Sequence, residues 1–145
     1  MKTRSHGIDF ISFLFILLFV YAAASKLMDM EKFRAQAGQS PLIYPVANLV
    51  IWTVPLLEIL ISILLIIPRS RLLGFYSSFG LMVLFSSYIV ILLRFSDFVP
   101  CSCGGVLEKM TWTQHLVFNI AFVLLGLAGI ILEVKQEALL TEKNQ

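Results

Sequence analysis

The chain has 145 residues, 59% of them hydrophobic and 14% charged, with a mean hydropathy of +0.90 and a net charge of +2. A soluble domain averages roughly 45–50% apolar and about 25% charged residues, so this balance excludes an ordinary water-soluble fold. The small net charge gives no argument for nucleic acid as a partner, and the length suits one domain spanning residues 1–145.

A bilayer-crossing helix needs about 20 predominantly apolar residues. Four segments reach or approach that length, at about 9–25, 46–67, 72–93 and 112–132. Lipid offers no partners to backbone groups, so these runs are expected to be helices, and no strand alternation points to a barrel. The expected fold is therefore all-α, an integral membrane bundle of four transmembrane helices.

The first segment has a rival reading. Lys2 and Arg4, an apolar stretch and then Ala22-Ala23-Ala24 resemble a secretory signal peptide with a small-residue cleavage site. Three further apolar segments follow with no sizeable polar domain, and a retained first helix closes a four-helix bundle more naturally. Between the first two spans, Leu27, Met30, Phe33 and Ala37 recur every three to four residues among charged neighbours. That spacing predicts a short amphipathic helix at the membrane interface, ended by Gly38 and Pro41.

The second span is interrupted by Glu58, three residues after Pro55. A carboxylate inside a membrane span is costly and is by default a candidate functional residue. It could accept a proton, bond a quinone, balance a cation or bond between helices when protonated. Tyr21, Ser25, Tyr88 and Asn119 are candidate partners, and Lys26 is another if it reaches inward. Pro68-Arg69-Ser70-Arg71 forms a tight basic turn between the second and third spans. The phenylalanines of the first and third spans would suit a flat redox lipid, although lipid-facing packing explains them better.

Both cysteines lie in Cys101-Ser102-Cys103-Gly104-Gly105, between the third and fourth spans. A disulfide wants Cα atoms about 4.4–6.8 Å apart, and residues two apart in extended chain sit near the upper end. Gly104 and Gly105 give the chain freedom to curl, and Pro100 fixes the approach. So small a ring adds little stability and is easily reduced, as redox-active disulfides are. Two unreactive thiols, a metal site shared with His115 but one ligand short, and a bridge to a partner chain are the other readings. Trp112, His115 and Asn119 share one face at the start of the fourth span. His115 is placed to stabilise a thiolate or pass a proton, or simply to sit at the interface beside Trp112. Asn119 reads first as an interhelical hydrogen-bonding residue.

With four spans, both termini and the basic turn share one side, which carries six Lys and Arg residues against five opposite. The positive-inside rule then puts the termini inside and the cysteines outside, where disulfides persist.

A lysine after the first span, WTVPLLEILISILLI in the second, and CxCxG ahead of the fourth are similar to the MauE/DoxX family of redox-associated membrane proteins. The resemblance runs from Ile8 to Leu132. Cys101, Cys103 and Gly105 match the family's CxCxG, Glu58 its carboxylate and Asn119 its asparagine. Many relatives have Arg before that asparagine; here it is Phe118, with His115 one turn earlier. The resemblance implies a bacterial-type inner membrane protein, with its cysteine loop on the periplasmic side, that makes or maintains disulfides in exported proteins with a thioredoxin-like partner. In the namesake, this serves maturation of methylamine dehydrogenase.

Cys101 and Cys103, with His115 and Glu58, are thus the expected catalytic set of a thiol-disulfide oxidoreductase. A quinone is a candidate acceptor, because one cysteine pair at one face cannot carry electrons across a bilayer. The alternatives are a non-enzymatic membrane anchor or scaffold and, less well supported, a permease: no repeat or broken-helix pattern is seen.

Overall fold

The computed structural model describes residues 6–40, 42–95 and 111–145. The expected Cys101–Cys103 site lies outside the described residues. Among the described residues there are five helices: α1 (His6–Met28), α2 (Met30–Gln39), α3 (Ala47–Ile66), α4 (Arg71–Phe95) and α5 (Trp112–Lys143), with a 3₁₀ turn at Tyr44–Val46 before α3. No strand occurs among the described residues. Helices α1, α3, α4 and α5 are long and apolar enough to cross a membrane. Each keeps large apolar side chains on its outer surface, including Phe10, Leu56, Leu84 and Leu124, all more than 60% exposed. Such a belt would be unstable in water and matches acyl chains. The protein is an all-α, four-span membrane bundle.

Around the bundle α1 packs on α3, α3 on α4, α4 on α5, and α5 more loosely back on α1. Its core is aromatic: the Phe15 ring lies 5.8 Å from Phe19, 6.5 Å from Phe75 and 5.2 Å from Phe122. Phe15, Phe19 and Phe75 are almost fully buried. The phenylalanines therefore divide: Phe10 and Phe13 face outward, whereas these three hold the helices together. Any form of the chain without α1 would lose Phe15 and Phe19 from this core.

Three helix boundaries are set locally. Thr111 accepts from the Gln114 amide at 3.2 Å while the Gln114 side chain accepts from the Thr111 amide at 3.0 Å, a capping box that starts α5. Asp29 caps α2 through the Lys32 amide at 3.2 Å. Ser40, extended with ψ 121°, ends α2 just ahead of Pro41, as the residue before a proline prefers. The fourth span runs eleven residues past its expected end at 132, to Lys143. Its 32 residues make a rod of about 48 Å at 1.5 Å per residue, longer than the roughly 30 Å hydrocarbon core. The polar stretch from Glu133 onward thus continues the helix beyond the membrane.

The short helix α2 occurs where expected, but Phe33 and Ala37 are buried against Ile51 of α3, with Val50 and Ala47 beside them. Its apolar face is seated on the protein.

Two glycines let the helices close. A Cβ on Gly129 of α5 would lie 2.6 Å from the Phe75 ring, and one on Gly74 of α4 would lie 2.9 Å from the Leu65 side chain. Gly80 has nothing within 4 Å of its Cβ direction. Gly129→Val should therefore cost about 1–3 kcal/mol by overpacking, read as a lower unfolding temperature in detergent, while Gly80→Ala should be neutral or slightly stabilising.

Candidate functional site

The bundle has two polar ends. At the end holding His6 and the α3–α4 turn, Arg71 Nη1 bonds Asp9 Oδ1 at 3.0 Å. The sequence reading left both residues unassigned. Their signal was topological, since an acid at the edge of the first span and an arginine in the tight turn must lie on the same side.

The opposite end, where α1 stops and α5 begins, contains a cavity of about 500 Å³. All four spans line it, with Phe33 of α2 and the residues before α3. Its wall is mainly apolar. The polar residues on it include Glu58 and His115 from the expected catalytic set, together with Lys26 and Asn119. Tyr21, Ser25 and Tyr88, the other candidate partners of Glu58, line it too.

Among these candidates, Lys26 makes the contact. Its Nζ lies 2.8 Å from Glu58 Oε1, 3.5 Å from the Ala22 carbonyl oxygen and 5.9 Å from the centre of the Phe33 ring. Glu58 is 1% exposed and the Lys26 side chain 14%. The lysine stem starts at the last turn of α1 and bends inward, so α2 covers the charge with an aromatic face. Glu58 sits one turn after Pro55, which cannot donate a helical hydrogen bond to the Ile51 carbonyl. Ser62 donates its hydroxyl to the Glu58 carbonyl at 2.8 Å, which satisfies the hydroxyl inside the span. Ser40 and the Tyr88 hydroxyl, 2.6 Å apart, tie the end of α2 to α4.

Trp112, His115 and Asn119 form the α5 wall, as the one-face spacing predicted. The Trp112 and His115 rings meet edge to face at 6.2 Å. Asn119 is 4% exposed, yet its Nδ2 has no partner among the described residues, in contrast to the expected interhelical hydrogen bond. Glu58 Oε2 and His115 Nδ1 are likewise unpartnered there. An unsatisfied buried polar atom costs roughly 1–3 kcal/mol, and these three belong to residues that line one cavity. The described residues contain no cluster of three or more His, Cys, Asp or Glu able to hold a metal ion.

A four-span membrane bundle with a buried ion pair and an apolar chamber is a small integral membrane protein with a candidate ligand or redox site. A protein-family model described as "Methylamine utilisation protein MauE" matches residues 4–132. The chain belongs to the MauE family and is a multi-pass membrane protein. No curated protein and no solved structure matches it.

Removing one member of a buried pair strands the other charge, at about 3–5 kcal/mol, whereas replacing both with apolar groups costs far less. Lys26→Met should thus destabilise the protein strongly, and Lys26→Met/Glu58→Leu should recover most of the loss. Thermal unfolding of the single and double variants in detergent measures the coupling.

Proposed function

We propose that this MauE-family protein is a membrane thiol-disulfide redox protein of the methylamine utilisation system. It exchanges electrons with an exported, thioredoxin-like partner through Cys101 and Cys103. In the oxidative direction a partner thiolate attacks one sulfur of the Cys101–Cys103 disulfide and forms a mixed disulfide. The partner's second thiol then displaces the cysteine. The partner leaves with a new sulfur–sulfur bond, and Cys101 and Cys103 are left as a dithiol.

The observation that carries this reading is the mainly apolar chamber, with Glu58, His115 and Asn119 on its wall, at the end of the bundle to which the cysteine segment is tethered. Ile91, near the end of α4, and Trp112, the first residue of α5, both line the cavity. Cys101 is six residues beyond Phe95, and Cys103 is eight before Thr111. At no more than about 3.6 Å per residue, chain length alone keeps Cys101 within roughly 22 Å of Phe95. His115, at that end of α5, is a protonatable group suited to pass a proton to or from a thiol.

The proposed location is the bacterial-type inner membrane, with the cysteines on the periplasmic side. Arg71 and Lys26, one cation from each side, are neutralised by Asp9 and Glu58. Orientation follows the count of Lys and Arg, to which acids contribute little, so these pairs leave the six-against-five count unchanged.

In a thiol-oxidation assay with a reduced thioredoxin-like protein, Cys101→Ser/Cys103→Ser should abolish turnover. One of the single variants should accumulate a mixed disulfide on a non-reducing gel. Unchanged oxidation by the double variant would contradict the proposal and leave the chain as a membrane anchor or scaffold.

A further inference from the structure

We infer that the cavity between α1, α3, α4 and α5 is a binding site for the ring of a lipid-soluble quinone, which reaches it from the bilayer and takes the electrons of the Cys101–Cys103 dithiol. The inference rests on the redox reading above, but the site is argued from the cavity alone.

Ligand pockets of roughly 300–1,000 Å³ with apolar walls and a few convergent polar groups are the usual sites for small molecules. At about 500 Å³ this cavity falls in that range. Three features narrow the ligand. The first is charge: Lys26 lies 2.8 Å from Glu58, so the cavity's buried charges cancel. A neutral molecule fits better than a fatty acid or a phosphate, whose charge would find no free cation at this pair.

The second feature is hydrogen bonding. Asn119 Nδ2 is a donor, Glu58 Oε2 an acceptor, and His115 Nδ1 either one according to tautomer; none has a partner among the described residues. Glu58 and Asn119 are both more than nine-tenths buried. A ligand satisfying both must offer an acceptor and a donor on an otherwise apolar body. Quinone carbonyls accept, and the hydroxyls of the reduced ring donate. The quinol can satisfy both, its hydroxyls donating to Glu58 Oε2 and accepting from Asn119, whereas the oxidised ring engages Asn119 through a carbonyl.

The third feature is access. Leu84, Ile91 and Tyr21 line the cavity while remaining 63%, 42% and 38% exposed on the bundle surface. The cavity wall is thus continuous with the lipid-facing surface, and α1 and α5 form the loosest seam of the bundle.

The redox balance closes. As Cys101 and Cys103 form their sulfur–sulfur bond they give up two electrons and two protons, and reduction of the quinone to the quinol consumes both. Glu58 and His115 line the space through which those protons reach the ring oxygens.

The test is a titration of the purified protein in lipid nanodiscs with a decyl-tailed benzoquinone, read by quenching of Trp112 fluorescence in a Trp52→Phe background. Trp52 is exposed on the outer face of α3 and would report only ligand dissolved in lipid. Saturable quenching is expected, unchanged by Gly80→Ala, whose added Cβ would meet nothing within 4 Å. In Asn119→Leu, and in Ala22→Phe, which fills the cavity from α1, binding should weaken about tenfold or more. Linear quenching that is equal in all four proteins would overturn the site. Photolabelling of the unsubstituted chain with an azido-benzoquinone gives a readout independent of variant folding. Label in α1 and α5 peptides around Ala22 and Asn119 supports the site, and label spread over the outer faces of all spans refutes it. Failure of quinone binding with cysteine-dependent thiol oxidation intact would remove this site and leave the redox reading standing. Quinone binding in a protein whose cysteines are dispensable would do the reverse.

Discussion

The Lys26–Glu58 pair is the constraint on which the rest of the arrangement depends. A carboxylate at the middle of a membrane span is unstable unless it is neutralised or bonded, and among the described residues the lysine at the last turn of α1 supplies the cation. Bringing them to 2.8 Å fixes the register of α1 against α3. It also draws the lysine stem inward and seats Phe33 of α2 over the charge. The Asp9–Arg71 contact fixes the other end of α1 against the start of α4. One helix is thus held at both ends by ion pairs to two different neighbours, in a medium that supplies no hydrophobic force between helices.

The cavity follows from how unevenly the helices then close. Towards the terminal end, Gly126 and Gly129 let α5 press against Phe15, Phe79 and Phe75, and the aromatic core fills the space. Towards the loop end α5 carries Trp112, His115, Phe118 and Asn119 instead, and the helices enclose a chamber among bulky side chains. The polar groups that the membrane would otherwise exclude are gathered there. A site of this kind combines a low dielectric, which strengthens each polar contact, with walls that admit only an apolar body.

Much of the fold was legible in the sequence because lipid imposes simple rules. Uninterrupted apolar runs gave the four spans to within a few residues, except for α5, whose helix continues to Lys143 after hydropathy falls. Helix formation needs no apolar side chains once a nucleus exists, so a hydropathy boundary is not a helix boundary. The start of α5 is set by the Thr111–Gln114 capping box, a signal that hydropathy does not register and that the sequence reading missed. The short helix at Met30–Gln39 was legible from its period, but not its partner, because an apolar stripe fits a lipid interface and a neighbouring helix equally well. Within the site, Glu58 and His115 were found by their cost in a membrane and their position. The choice of Lys26 over Tyr21, Ser25, Tyr88 and Asn119 was not, since it depends on how far a long flexible side chain bends. The Asp9–Arg71 pair was missed for a similar reason: each residue sat at a segment edge, where charge is ordinary, and only three-dimensional proximity gives it meaning.

The proposed redox role requires Cys101 and Cys103 to form a disulfide that can be reached from outside the membrane. Sequential alkylation in intact cells tests it most directly, using a membrane-impermeant maleimide before and after mild reduction. The account predicts that both cysteines are labelled only after reduction and without permeabilising the cells. Labelling that requires permeabilisation, or thiols that are free in every condition, would contradict it.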